Sequence, residues 1–131
     1  HDHIGYNYRM PNINAALGCA QLENLDRYVA DKRETAACYA EFFKGKEDIT
    51  FFTEPADCKS NYWLNAVVLK DKAAQLDFLE YTNDHGVMTR PVWELMNRLP
   101  MFEHCETDGL ENTEWLADRV VNIPSSVRLD K

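Results

Sequence analysis

Asn7 and Arg9 flank Tyr8 in a short polar, aromatic run that opens Gly5-Tyr6. A carboxamide donates to a phosphate oxygen without needing charge of its own. A guanidinium is planar and always charged, which suits a diphosphate or a carboxylate. Both residues also have plainer readings. Asn commonly bonds its own backbone in a turn, and Arg9 could pair with Asp2. Tyr6 and Tyr8 could line the same cleft or simply pack beside a helix start. A second group, Arg90, Trp93 and Asn97, follows Gly86; Trp93 could equally fill a core. The carboxylates of Asp77 and Glu80 fall on a helix surface by spacing and read as solvated charge rather than an acid/base pair. His1 with His3, and His104 with Cys105, are the candidates for metal ligation. Neither has a matching partner pair, and both read as solvent-facing loop residues.

The first group needs a rigid element behind it. After Pro11 the sequence turns helical, with a proline near the first helical position and Asn12 or Asn14 available as a cap. Ile13, Ala16, Leu17 and Ala20 recur at the spacing of one buried helix face. Leu22, Leu25, Tyr28, Val29, Ala36, Tyr39, Phe42 and Phe43 continue it, which predicts one long helix from Asn12 to a stop at Gly45, with a bend near Asp31 as an option. Strands are expected over 48–53, ended by Pro55, and over 62–69, whose continuously apolar second half suits a covered strand. Asp71 is placed to cap a helix over 72–85, with Ala73, Leu76, Leu79 and Tyr81 as its apolar positions and Gly86 at its end. Residues 87–93 return as an extended segment. A loop with at most a short helical turn covers 94–109, a helix capped by Asn112 follows, and 121–124 leave it extended. The order predicts a small α+β layer with helices on one face of a short, mainly antiparallel sheet.

A chain of 131 residues makes one domain and buries about two-thirds of its unfolded surface. The formal charge of −8 is spread along the chain, without the basic stripe that nucleic-acid binding requires. One well-placed arginine can still hold a diphosphate locally. No apolar run approaches the roughly 20 residues that span a membrane. The four cysteines, Cys19, Cys38, Cys58 and Cys105, show no CxxC pairing. They read as reduced thiols of a cytoplasmic protein, with Cys19 and Cys38 as small core residues.

GYNYRM followed by the AALGCAQL helix resembles the signature of the DegT/DnrJ/StrS sugar aminotransferases. Ser60-Asn61-Tyr62-Trp63, Gly86-Val87-Met88-Thr89-Arg90-Pro91 and NTEWLADRVVNIPSS follow in that family's order. The resemblance covers the whole chain but only the C-terminal part of such an enzyme. It implies the small domain of a fold type I, pyridoxal-phosphate-dependent homodimer that moves an amino group, with glutamate as donor, onto a keto-sugar nucleotide. The lysine that carries the cofactor would lie upstream of His1, so residues 1–131 alone are expected to be inactive. Asn7 would reach the cofactor phosphate of the neighbouring subunit, and Tyr8, Arg9, Arg90, Trp93 and Asn97 would contribute to substrate binding. Where the family often reads TRPxFxPLH this chain reads TRPVWELMN, so Asn97 stands in place of the histidine. That departure is similar to the branch that aminates 4-keto UDP-N-acetyl sugars towards bacillosamine or legionaminic acid in surface-polysaccharide biosynthesis. A different class of reading remains open beside it, a non-catalytic relative or a binding and regulatory module of the same fold.

Overall fold

The computed structural model describes residues 5–6 and 9–128. Its elements run α1 (Asn12–Leu22), α2 (Leu25–Phe43), β1 (Ile49–Phe51), β2 (Asn65–Leu69), α3 (Lys72–Asp84), β3 (Arg90–Pro91), a 3-10 turn (Met96–Arg98), α4 (Glu111–Ala117) and β4 (Val120–Ile123). Among the described residues four strands form one sheet in the order β1-β2-β4-β3. Every pairing is antiparallel, with Phe51 opposite Val67, Val67 opposite Val121 and Arg90 opposite Asn122. The α+β layer expected from the sequence is therefore present.

Successive residues of a strand point to opposite faces, and β2 buries Asn65, Val67 and Leu69 while Ala66 and Val68 are only half-buried. Val67 and Val121 are fully enclosed and join Phe51, Leu69, Ile123 and Ala36 in the core. Each such valine contributes about 1.5–3 kcal/mol relative to an exposed one. Tyr39, Ala40 and Phe43 of α2 and Ala74, Phe78 and Leu79 of α3 pack against the same cluster. Pro91 lies on an edge strand, where its missing N–H removes no ladder bond from the sheet interior.

Several local expectations are corrected. The long helix is two helices, broken at Glu23 and Asn24 rather than bent near Asp31. The Asn24 side-chain amide donates to the Ala20 carbonyl at 3.3 Å, and its backbone N–H turns to Gln21. An asparagine that offers the backbone a local alternative in this way breaks a helix. Ile13 and Leu17, expected on a buried face, are 81% and 59% exposed, and α1 has no buried residue. Pro11 itself occupies the cap position, and neither Asn12 nor Asn14 caps the helix. Asn112 lies inside α4, whose cap position is Leu110. Cys19 and Cys38 are exposed, not core. On α3, Leu79 packs inward as expected, together with Ala74 and Phe78, whereas Ala73, Leu76 and Tyr81 are exposed.

Gln75, missed as a core residue, is completely buried. Its amide donates to the Ala117 and Val120 carbonyls, both at 2.9 Å, so it staples α3 to the end of α4 and the start of β4. Asp71 does cap α3, accepting from the Ala74 N–H at 2.9 Å. At the other end Gly86 has φ +77°, and the N–H groups of Gly86 and Val87 return to the Asn83 and Thr82 carbonyls. This Schellman closure requires the left-handed backbone that glycine adopts freely.

Asp71→Ala should lower the unfolding free energy of the full-length protein by about 1 kcal/mol, with Asp71→Asn retaining most of it, as read by urea denaturation.

Candidate functional site

The C-terminal end of α3 sets up the site. Thr89 is buried; its hydroxyl meets that of Thr82 at 2.6 Å, and its carbonyl accepts from the Asn83 side chain at 3.1 Å. With Thr89 fixed, Arg90 and Pro91 enter the sheet beside Asn122 and Val121, and Trp93 follows at 85% exposure. An open pocket of about 1070 Å³ lies here. Its walls come from Met88 and the run Arg90 to Glu94, from Asn122 to Ser126, and from Lys32, Trp63 and Leu64. The Arg90 guanidinium touches the Met88 sulfur at 3.6 Å and takes part in none of the ion pairs seen among the described residues.

The structure thus brings Arg90 and Trp93 together. Asn97 is not a lining residue. It sits half-buried in the 3-10 turn, which closes through the Arg98 N–H to the Leu95 carbonyl and carries the chain past the pocket. Arg9 lies exposed on the segment leading into α1 and does not reach the pocket, and Tyr6 is also exposed. Asn7 and Tyr8 lie outside the described residues. No group of His, Cys, Asp or Glu among the described residues is arranged to hold a metal ion, and none of their helices is long and apolar enough to cross a membrane.

Sequence reasoning missed the back wall. Lys32 of α2 donates to the carbonyls of Trp63 and Ser125. The Ser125 hydroxyl accepts from the Asn65 N–H and donates to the Ile123 carbonyl, both at 2.7 Å. The seam between β2 and β4 is thereby continued beyond the last ladder pair. Tyr39 donates to the Pro124 carbonyl, and its burial raises its pKa. Arg128 grips Asp31 and Glu34. Both contacts tie residues 124–128 down onto α2. The Asn65 amide and the Thr35 hydroxyl are buried without a partner in this region. No periodicity in the sequence marks a lysine that bonds carbonyls instead of water.

The neighbouring residue, Arg33, clamps the loop between β1 and β2. Its guanidinium meets Glu54 in a two-pronged pair at 2.6 and 3.0 Å and also donates to the Ser60 carbonyl. Glu54 in turn accepts from the Ser60 N–H. Arg33 and then the Ser60 N–H hold the Glu54 carboxyl down at about 2, against an ordinary 4.5. The Arg33 pKa is raised chiefly by the same hydrogen bond. Tyr62 adopts φ +46° within this loop, and the Arg33 guanidinium lies 5.6 Å from its ring centre.

Residues 1–131 match the DegT/DnrJ/EryC1/StrS aminotransferase family. GDP-perosamine synthase of Escherichia coli O157:H7 is 32% identical over 127 residues, which cover 95% of this chain and 34% of that protein. The dTDP-4-amino-4,6-dideoxy-D-glucose transaminase of Escherichia coli is 25% identical over 126 residues, 92% of this chain and 34% of that protein. Among solved structures, the sugar aminotransferase CalS13 from Micromonospora echinospora superposes with a TM-score of 0.78 at 25% identity, covering 93% of this chain and 32% of that one. The chain spans about a third of the length of the curated relatives it matches.

Because folding favours the charged form of Glu54, the contribution of this clamp is fully present above its ordinary pKa of 4.5 and is lost as the pH falls from there through about 2. Glu54→Gln should therefore lower the urea midpoint by a constant amount above about pH 5. The gap to the unaltered protein should close progressively on acidification towards pH 2.

Proposed function

The chain belongs to the DegT/DnrJ/EryC1/StrS aminotransferase family, and from that membership we propose that it is the small C-terminal domain of a fold type I, pyridoxal-phosphate-dependent sugar aminotransferase. The whole protein acts as a cytoplasmic homodimer. It transfers an amino group from glutamate to a 4-keto sugar nucleotide used in surface-polysaccharide biosynthesis. The observation that carries the substrate half of this reading is the open pocket in which Arg90, outside every ion pair among the described residues, stands beside Trp93.

The residues of this chain fit both a cofactor phosphate and a nucleotide-sugar. The start of α1 has no acidic residue in its first turn and no side-chain cap, so its free N–H groups and the exposed Arg9 favour an anion rather than repel it. Pyridoxal phosphate, when bound, supplies the electron sink for amino transfer. The chain's own side chains bind and orient. Asn7 donates its amide to the cofactor phosphate of the neighbouring subunit, and Tyr8 and Arg9 meet the substrate at the same mouth. Arg90 neutralises the substrate's diphosphate as a charge-assisted donor. Trp93 supplies an apolar wall that keeps water from the sugar, and Asn97, outside the lining of this pocket, is assigned to substrate binding through the motif position it occupies.

Arg90→Ala should raise the KM for the keto-sugar nucleotide about tenfold, the scale of one hydrogen bond to a charged group, while the KM for the amino donor stays constant. If both constants move together in steady-state kinetics, Arg90 is structural.

The shared site is tested by mixing two inactive or weakened proteins, Asn7→Ala and a variant lacking the cofactor-bearing lysine. A mixed dimer has one site with both groups intact only if Asn7 serves the opposite subunit. Activity after subunit exchange should rise above that of either parent. If Asn7 serves its own chain, no site in the mixed dimer is whole, and no gain is seen.

A further inference from the structure

Trp63 pairs an exposed indole with a backbone that is held in place. Its side chain is 63% exposed, yet its backbone is tied on both sides. Its N–H donates to the Asn61 side chain at 3.0 Å, and its carbonyl accepts from the Lys32 ammonium at 3.3 Å. The residue before it, Tyr62, holds the left-handed backbone that a bulky L side chain rarely adopts. That conformation is kept by the Ser60 hydroxyl, which accepts from the Tyr62 N–H at 2.9 Å, and by the Arg33–Glu54 clamp beneath the loop. Such a concentration of local constraints around a large exposed indole marks a functional site better than a packing site.

The surroundings indicate the occupant. Trp63 lines the same pocket as Lys32, Met88, Arg90 and Trp93. Lys32 and Arg90 are both cationic, and the one acid in the lining among the described residues, Glu94, is engaged with Arg98. A pocket with aromatic walls and two cations suits a ligand that carries a flat ring next to a multiply charged anion. We propose that Trp63 is a ligand-contact residue that stacks on the aromatic base of a nucleoside diphosphate group, with Lys32 as the positioning residue that fixes its backbone. The inference rests on the nucleotide-sugar reading above and goes beyond it by assigning the base to a particular side chain.

The full-length protein is titrated calorimetrically with UDP, dTDP, GDP and, separately, inorganic pyrophosphate. Trp63→Ala should weaken the tightest-bound of the three nucleotides about tenfold, the scale of one lost base-stacking contact. Pyrophosphate binding should be unchanged, and Trp63→Phe should restore most of the nucleotide affinity. Lys32→Met should reduce the preference for nucleotide over pyrophosphate, and Lys32→Arg should recover it. The assignment is overturned if Trp63→Ala leaves nucleotide affinity intact, or weakens pyrophosphate by the same factor. If the unaltered protein binds none of the nucleotides, the nucleotide-sugar reading falls with it. Nucleotide binding that ignores Trp63 leaves that reading standing and removes only the stacking role.

Discussion

The pairing of β2 with β4 is the constraint on which the rest of the domain depends. β4 is the last strand among the described residues, yet it lies inside the sheet, between β2 and β3. β3 has only two residues and gains its place in the sheet by bonding to β4. The core cluster, the position of Arg90 and the far wall of the pocket therefore all wait on residues from the end of the sequence. Strand pairings between distant segments carry a loop-closure entropy cost before they return any stabilisation. Gln75 offsets part of that cost by holding the Val120 carbonyl from within α3.

α2 plays the complementary part. Two consecutive cationic residues on it perform different tasks. Lys32 spans the chain ends that flank β2 and β4, and Arg33 fixes the loop that leads into β2. The helix thus acts as a template for backbone that has no ladder of its own. Ionic contacts of this kind are modest individually. They are effective here because they also satisfy backbone groups, among them the partly buried Ser125 and Ser60 carbonyls and the Ser60 N–H.

How much of this was legible in the sequence depends on whether a feature is periodic. β2 announced itself by its apolar run, α3 by Asp71 and Gly86, and β4 by its short extended sequence before Pro124. Arg90 and Trp93 were identified through a motif and do share a pocket. What escaped were features that have no period. The break at Asn24 is made by one side-chain amide bonding one carbonyl. Gln75 reads as a surface residue until its two carbonyl partners are known. Ile13 and Leu17 have the pattern of a buried face, and the pattern records only that the face is apolar. It says nothing about whether the covering surface belongs to the same domain. Lys32 was overlooked for a related reason, since its role arises from backbone carbonyls of distant segments.

The separation of α1 from α2 has a thermodynamic consequence. An isolated helix shorter than about 12–15 residues is marginal in water, and α1 has 11 residues, none of them buried. Its hydrogen-bonded turns draw no protection from the core of this domain. The amide protons of α1 should accordingly exchange with solvent on the timescale of helix–coil opening, while those of β2 and β4 exchange only with global unfolding. Deuterium uptake in this one segment then becomes a local gauge of whatever covers its apolar side in the complete protein, independent of any activity.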